Sequence, residues 1–391
     1  MPILNRIASF QQDMTEWRQD LHAHPEIGLD LPRTSAIVAK KLKEFGVDEV
    51  ITGIGHSGLV GVIRGRHPEN GRAIGLRADM DALPIHEETG APYASKIPGA
   101  MHACGHDGHT TMLLGAARYL AETRNFDGTV YLIFQADEEG LHGAPAMIKD
   151  GLFDKFSMQR VFGIHNWPNE PVGCFRWRTG PIMAAVADIN IKISGRGAHG
   201  AKPNEGVDPI LVASYIISGL QSIVSRRVTP TDSGVVTIGH IAAGQARNVI
   251  PDTAIMQGTA RWFKPEVGDL LEKDVKQIVA GVAAAYGAKA EVEFKRRVPP
   301  TVNDVDATKM AIKAAETVAG AANVGEMSDP SMGGEDFAYM LQEKPGAYIM
   351  LGASEGPDVY GVHHPKYDFN DDILPVGASY FVTLTEMALT D

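Results

Sequence analysis

Cysteine is scarce in this chain, whose 391 residues contain only Cys104 and Cys174. Two cysteines cannot build a disulfide framework, and low cysteine usage is typical of a reducing compartment. Long apolar runs are missing as well. No stretch approaches the about 18 apolar residues that a membrane-spanning helix needs, and the N-terminal segment lacks the apolar core of a signal peptide. We therefore expect a cytoplasmic protein that does not associate with membranes.

Runs of basic residues are also missing, and the formal net charge is -12. Excess negative charge opposes binding to nucleic acids and to anionic membranes, so we expect neither partner. The net charge does not restrict which small molecules could be substrates, because acidic side chains gathered around a metal ion are neutralised locally. The length exceeds what one hydrophobic core usually supports, which favours two domains.

The order of periodic segments predicts how these domains are built. Helical and strand-like runs alternate in the N-terminal part, which indicates a three-layer α/β domain. Between residues 183 and 297 the runs follow the order β-α-β-β-α-β, which is ferredoxin-like, and predict an inserted α+β domain. The first domain would then comprise residues 1–182 and 298–391. An open sheet face on the insert would favour a homodimer.

The segment Met101–His109 (MHACGHDGH) concentrates side chains that bind metals. Thiolate, imidazole and carboxylate groups hold transition metals, and soluble proteins rarely place so many within nine residues. Gly105 and Gly108 allow tight turns there, so that several of these groups could converge. The segment therefore predicts a metal site.

Two strand ends and a C-terminal segment offer further metal-binding groups. An apolar run over residues 128–136 ends in Asp137, Glu138 and Glu139, and a second run over 161–164 ends at His165. Ligand-binding crevices of open α/β sheets lie at the carboxyl ends of strands, where a working carboxylate is expected. The pair His363 and His364 follows near the C-terminus.

A series of motifs resembles the zinc-peptidase-like family of aminoacylases, hippurate hydrolases and auxin-conjugate hydrolases, which is related to carboxypeptidase G. In chain order the motifs are RADMDALP (77–84), HACGHDGH (102–109), EEG (138–140), GIH (163–165), GAH (197–199), RNVIP (247–251) and GEDF (334–337). The segment QADEEGLHG (135–143) departs from the family pattern, in which a proline commonly follows the glutamine, a small residue precedes the two glutamates and glycines follow. The resemblance covers most of the chain.

The resemblance implies a two-metal amidohydrolase with an inserted lid and dimerisation domain. The positions of the five metal ligands match Cys104, His106, Glu139, His165 and His363, with the Cys104 thiolate bridging two ions and His363 preferred over His364. Glu138 matches the general base. In the lid, His199 matches a residue that stabilises an oxyanion, often across the dimer. Asn248 and Arg261 are candidates for binding a substrate carboxylate, Arg261 because a guanidinium forks onto a carboxylate.

The predicted reaction is hydrolysis of the amide of an N-acyl-L-amino acid, with hippurate-like, N-acetyl and indole-acetyl conjugates as substrates. Two divalent ions are expected, with zinc and manganese favoured and nickel and cobalt also fitting mixed S, N and O ligands. A metallo-carboxypeptidase or dipeptidase, an aryl-amine deaminase and a non-catalytic metal-binding relative are the alternatives. The assembly is expected to be a homodimer or a homotetramer.

Overall fold

The computed structural model describes residues 4–354, 356 and 359–390. Its helices are α1 (Asn5–Ala8), α2 (Gln11–His22), α3 (Pro32–Glu44), α4 (His106–Thr123), α5 (Gly143–Lys149), α6 (Leu152–Lys155), α7 (Pro209–Arg226), α8 (Pro265–Ala285), α9 (Val305–Ala319), α10 (Phe337–Glu343) and α11 (Leu374–Leu389). Its strands are β1 (Glu49–Thr52), β2 (Leu59–Arg64), β3 (Ala73–Asp79), β4 (Thr129–Gln135), β5 (Arg160–Pro171), β6 (Phe175–Trp177), β7 (Gly180–Met183), β8 (Ala185–Ser194), β9 (Ala198–His199), β10 (Gly234–Ala243), β11 (Val249–Ile250), β12 (Thr253–Trp262), β13 (Lys289–Val298), β14 (Thr301–Asn303), β15 (Val324–Glu326) and β16 (Gly346–Ser354).

These elements form two compact units. The first comprises the chain up to Ile182, the segment Thr301–Pro330 and the chain from Glu335 onward. The second comprises Met183–Pro300 and the short segment Ser331–Gly334. Ser331 joins the second unit because it bridges to Met183, beside a hydrogen bond from the Ala184 N–H to the Gly333 carbonyl.

The first unit is built on an eight-stranded mixed sheet with the order β1-β2-β4-β3-β5-β16-β6-β15. Strands β4, β3, β5 and β16 run parallel, and helices cover the sheet. Every residue of β3 is buried, as expected of a parallel strand with helices on both faces. The predicted α/β class is therefore confirmed for this unit.

The second unit is an antiparallel sheet with the order β10-β12-β8-β13 and the two helices α7 and α8. Apolar residues of β8, β12, α7 and α8 form its separate core. Buried and exposed residues alternate at the start of β12, which indicates that only one sheet face is covered there. The main elements follow the predicted order β-α-β-β-α-β.

One strand differs from the sequence prediction. The apolar run over 161–164 predicts a strand that ends before His165, but β5 continues to Pro171. The reason is tertiary, since β16 pairs with β5 in parallel register from Gly346↔Val161 through Gly352↔Trp167. A polar run without local strand periodicity is thus held extended by its neighbour, and His165 lies inside a strand.

Among the described residues, no helix combines the length and the apolar character needed to cross a membrane.

Candidate metal centre

The carboxyl ends of neighbouring parallel strands bring the predicted residues together. Asp79, at the end of β3, pairs in register with Gln135, at the end of β4. On the other side of β3, Arg77 pairs with Gly163 of β5, two residues before His165. The Glu138–Glu139 turn and His165 therefore lie at the same sheet edge, as the crevice rule for α/β sheets predicts.

The loop before α4 supplies two more side chains from close to the sheet. Gly105 has φ 93°, and a Cβ atom there would lie 2.4 Å from Asn166 Oδ1. Only glycine tolerates both this backbone conformation and this approach. The loop can therefore lie against β5, with Cys104 before the glycine and His106 at the first position of α4.

Five side chains predicted as ligands face one another in two overlapping groups. Cys104 Sγ lies 3.3 Å from His165 Nε2, and His363 Nε2 lies 3.1 Å from Glu139 Oε1. Among the described residues, ligand atoms within 4.8 Å of one another form five groups, and two of these consist of predicted ligands alone: Cys104, His106, His165 and Cys104, Glu139, His363. Cys104 belongs to both, which is the placement a bridging thiolate requires.

One buried ligand atom, His106 Nε2, has no hydrogen-bond partner among the described residues. Burying a polar atom without a partner costs about 1–3 kcal/mol, and a bound cation would remove that cost. Sulfur, imidazole and carboxylate donors at this spacing fit divalent transition metals.

The charges around the site also favour cations. Burial would lower the pKa of His106, but Asp79 and Asp81 outweigh it and raise that pKa to about 10. Burial, Glu139 and Glu138 raise the pKa of the Cys104 thiol well above its ordinary value. The raised pKa of His106, and the part of the Cys104 shift caused by the glutamates, reflect an excess of negative charge that divalent ions would neutralise, with the thiol then deprotonated.

Hydrogen bonds orient the two histidines that lie deepest. His165 Nδ1 donates to the Asn166 carbonyl at 2.6 Å, which leaves Nε2 as the free lone pair. Burial and the neighbouring His109 lower the pKa of His165 well below its ordinary value, so its ring is neutral and able to bind metal. His106 Nδ1 lies 3.3 Å from Asp81 Oδ1, which directs Nε2 to the site. Such outer partners fix the tautomer of metal-binding histidines.

The turn after β4 orients adjacent glutamates for different roles. Asp81 accepts the N–H of Glu138 with one oxygen at 3.0 Å and the N–H of Glu139 with the other at 3.1 Å. Asp137 has φ 52°, so the chain leaves the strand pleat before the glutamates. Both side chains can thus point inward, which alternation along a strand would forbid.

Glu138 lies in a buried acidic pocket. Its carboxylate groups with those of Glu335 and Asp336, and the Asp336 N–H donates to Glu138 Oε1 at 3.4 Å. Burial and the charges of Glu335, Glu139 and Asp336 raise the pKa of Glu138 well above its ordinary value. A general base at neutral pH needs a pKa raised in this direction.

Arg77 is the cation that keeps this pocket together. It is fully buried and donates to Gln135, Asp79, Glu335 and Asp336 at 2.6–3.1 Å. Glu335 also accepts the hydroxyl of Tyr348 at 2.6 Å. One guanidinium thus serves several carboxylates and leaves net negative charge beside Glu138.

Other candidates of the HACGHDGH segment lie outside the two ligand groups. His102 is buried, and its ring nitrogens have no hydrogen-bond partner among the described residues. His109 lies between Asp79 and Asn166 at 2.6 Å from each. In the C-terminal pair, His363 faces Glu139, whereas His364 stacks on Tyr360 at 4.4 Å.

Sequence reasoning assigned no role to Asp79, Asp81, Glu335 or Asp336, although it singled out the two motifs that contain them. Asp79 and Asp81 could have been found from the sequence, because the segment RADMD that contains them lies directly at the end of a buried strand. Glu335 and Asp336 follow a loop and precede the short helix α10, so no local pattern points to the site.

The second unit separates the three predicted lid residues. Exposed His199 and Asn248 lie side by side, since His199 pairs with Val249 and the Gly200 N–H bonds the Asn248 carbonyl at 2.7 Å. Arg261 lies near the far end of β12, about 26 Å along the strand from Thr253 at a rise of about 3.3 Å per residue. Its Nη1 donates to the Met332 carbonyl at 2.6 Å. The structure thus places Asn248 beside His199, and Arg261 beside the Met332 carbonyl.

Comparisons with known proteins identify relatives of the whole chain. The hippurate hydrolase of Campylobacter jejuni is 43% identical over 384 residues, which cover 98% of both chains. The N-acetylcysteine deacetylase of Bacillus subtilis is 38% identical over 385 residues, 97% of this chain and 98% of the relative. A crystal structure from Bacillus subtilis, described as a dinuclear metal binding peptidase from the M20 family, has TM-score 0.84 and 35% identity over 98% of this chain and 99% of that one.

The family model of peptidase family M20/M25/M40 matches residues 75–387, which include every residue of the two ligand groups. The predicted resemblance is thereby confirmed, and its motifs RADMDALP, HACGHDGH, EEG and GIH are the ones that meet at the sheet edge. With most of its length matched, the chain belongs to peptidase family M20/M25/M40.

Proposed function

We propose that this protein hydrolyses the amide bond of N-acyl-L-amino acids and releases a carboxylic acid and a free amino acid. The observation that carries the proposal is the meeting of two overlapping ligand groups with a buried, separately oriented carboxylate, Glu138. Relatives with hippurate hydrolase and N-acetylcysteine deacetylase activity in their names support the same reaction. Hippurate-like substrates with an aromatic acyl group are the favoured class.

In this proposal Cys104, His106, Glu139, His165 and His363 hold two divalent ions, with zinc and manganese favoured. Bound there, the ions would polarise the amide carbonyl and lower the pKa of the attacking water. The excess negative charge that raises the pKa of His106 and Cys104 supports this role for the five residues.

Glu138 takes the proton of the attacking water and delivers it to the leaving nitrogen. The raised pKa of Glu138 supports its uptake of the proton from water, because a carboxylate of ordinary pKa would accept the proton only weakly. Asp81 and the Asp336 N–H hold the Glu138 backbone and carboxylate in place.

The inserted unit, residues 183–297, would act as the lid and dimerisation domain. His199 would stabilise the oxyanion, and Asn248 and Arg261 would bind the substrate carboxylate. We expect a homodimer that forms through this unit. Exposed apolar residues on edge strand β10, such as Ile241, support the same assembly. A reduced Cys104 suits the cytoplasm.

The experiment is amino-acid release from N-benzoyl, N-acetyl and indole-3-acetyl amino acids, with protein stripped of metal and reloaded with zinc or manganese. We expect release that depends on metal and is strongest for benzoyl substrates. Wild-type protein that binds two ions per chain and yet releases no amino acid from any of these substrates would contradict the proposal.

A further inference from the structure

A buried charged network lies on helix α2, which contributes no side chain to the ligand groups. Arg18 and His22, one helical turn apart, are both fully buried. Arg18 Nε and Nη2 donate to Asp371 at 2.6 and 2.8 Å, and Nη1 lies 3.8 Å from Asp107 Oδ2. His22 Nδ1 lies 2.8 Å from the same Asp107 oxygen.

The two carboxylates belong to two of the four chain segments that carry proposed ligands. Asp107 follows His106 directly in the first turn of α4, and its side chain meets α2. Asp371 follows the segment that contains His363. Arg18 therefore connects segments that are more than 250 positions apart in sequence and meet at one metal centre.

Other contacts tie the same segments at different points. The His363 N–H donates to the Ala103 carbonyl at 2.7 Å, next to Cys104. Tyr93, whose ring lies 4.3 Å beneath the Arg18 guanidinium, donates its hydroxyl to Asp368 at 2.8 Å. The C-terminal segment is thus held against the Cys104 loop on one side and against α2 on the other.

Stability alone is a poor explanation for these charges. Desolvating buried ions offsets most of their mutual attraction, so apolar residues of similar size would often serve folding as well. A bidentate pair of a guanidinium and a carboxylate does, however, have a defined geometry. Because this pair lies beside ligands from distant segments, its geometry fixes the positions of His106 and His363.

We propose that Arg18 and His22 are positioning residues of the metal centre, which hold the Cys104–His106 segment through Asp107 and, by Arg18, the His363 segment through Asp371. The inference rests on the ligand set of the proposed function. Burial would lower the pKa of His22, but hydrogen bonds to Asp107 and Glu87 raise it to about 9, so both residues are cations at neutral pH.

The test compares Arg18→Met, Arg18→Lys and His22→Gln with a control on the same helix, Met14→Ala. Met14 is fully buried, and its Sδ packs against Gly115 of α4, so its loss weakens the same helix contact without touching a charge. Three quantities are measured: chelator competition for zinc, melting temperatures with and without zinc, and the thiolate-to-cobalt absorption of Co²⁺-loaded protein.

We expect Arg18→Met and His22→Gln to weaken zinc binding about ten- to a hundredfold, as loss of outer support does at other metal sites. The gain in melting temperature on adding zinc should shrink, and the Cys104–cobalt band should shift or weaken. Arg18→Lys should recover little of the zinc affinity lost in Arg18→Met, since an ammonium cannot make two parallel hydrogen bonds to Asp371. Met14→Ala should lower both melting temperatures equally and keep zinc affinity and the cobalt band.

Wild-type zinc affinity and cobalt absorption in Arg18→Met and His22→Gln would overturn the proposal and leave the network a purely structural role. Should Arg18→Met fail to fold, Arg18→Lys and His22→Gln decide by the same criteria. Wild-type protein that binds no metal would overturn the ligand set and this inference together. Wild-type protein that binds zinc but hydrolyses no amide would refute the proposed function alone, because none of the three readouts requires turnover.

Discussion

At the scale of single residues, the site is organised by neighbours that are not ligands. Asp81 accepts two backbone N–H groups in the glutamate turn and also orients His106. Arg77 gathers carboxylates beside Glu138. Each of these residues acts through another side chain, so their contribution follows from geometry that a list of ligands omits.

Replacing the proposed base tests the division of labour between the adjacent glutamates. Glu138→Gln keeps the size of the side chain and removes its basicity, so turnover should fall at least about a hundredfold, the usual worth of a general base. Metal content should stay at the wild-type value, since Glu139 is the proposed ligand and Glu138 the proposed base. Amino-acid release and metal analysis of the same sample check this, and a variant with more than about a hundredth of wild-type activity would contradict the assignment.

The raised pKa of His22 predicts a pH dependence of stability. Because the folded pKa of about 9 exceeds the ordinary value of 6.5, the charged ring stabilises the protein fully below pH 6.5. That stabilisation, at most about 3 kcal/mol, is lost as the pH rises through 9. Urea unfolding of metal-free protein from pH 6 to pH 10 should show a larger loss for wild type than for His22→Gln. Parallel curves for the two proteins would contradict the prediction.

At the scale of elements, the loop before α4 depends on one glycine. Gly105→Ala adds a Cβ atom 2.4 Å from Asn166 Oδ1 at a φ of 93°, so either the loop or Asn166 must move. We expect weaker zinc binding and a loss of stability above the about 1 kcal/mol that left-handed backbone costs a non-glycine residue. Gly99→Ala is the matched control, since its φ is 78° but nothing lies within 4 Å. Equal effects of both substitutions on zinc affinity would refute the role of Gly105.

The elements also show which predictions sequence periodicity supports. The β-α-β-β-α-β order of the insert was predicted because its strands alternate and its helices are amphipathic, so local spacing determines them. The length of β5 was not predicted, because its last residues are held extended by pairing with β16, which lies far along the chain. Ligand types in HACGHDGH were readable, but the contacts of Asp107 with α2 and of Glu335 with Arg77 depend on long-range packing.

At the scale of the whole molecule, the exposed edge strand β10 supports the proposed dimer. Ile241 on this strand is 48% exposed, and an unpaired edge offers backbone groups to a second copy. Ile241→Lys should shift sedimentation from dimer toward monomer and leave melting of the metal-loaded chain nearly unchanged at low concentration. Wild-type protein that sediments as a monomer at all concentrations would contradict the dimer.

The sequence by itself determined the α/β class, the family and the types of ligand, because these depend on local periodicity and on motifs that are contiguous in the chain. The resemblance already preferred His363 over His364, but only the tertiary structure placed His363 against Glu139 and the N–H groups of both glutamates on Asp81. The tertiary structure also decided that Arg18 of α2 pairs with Asp371 and lies close to Asp107. The physical reason is that side-chain direction and ion pairing across hundreds of residues follow from sheet register and helix packing, which no local pattern encodes.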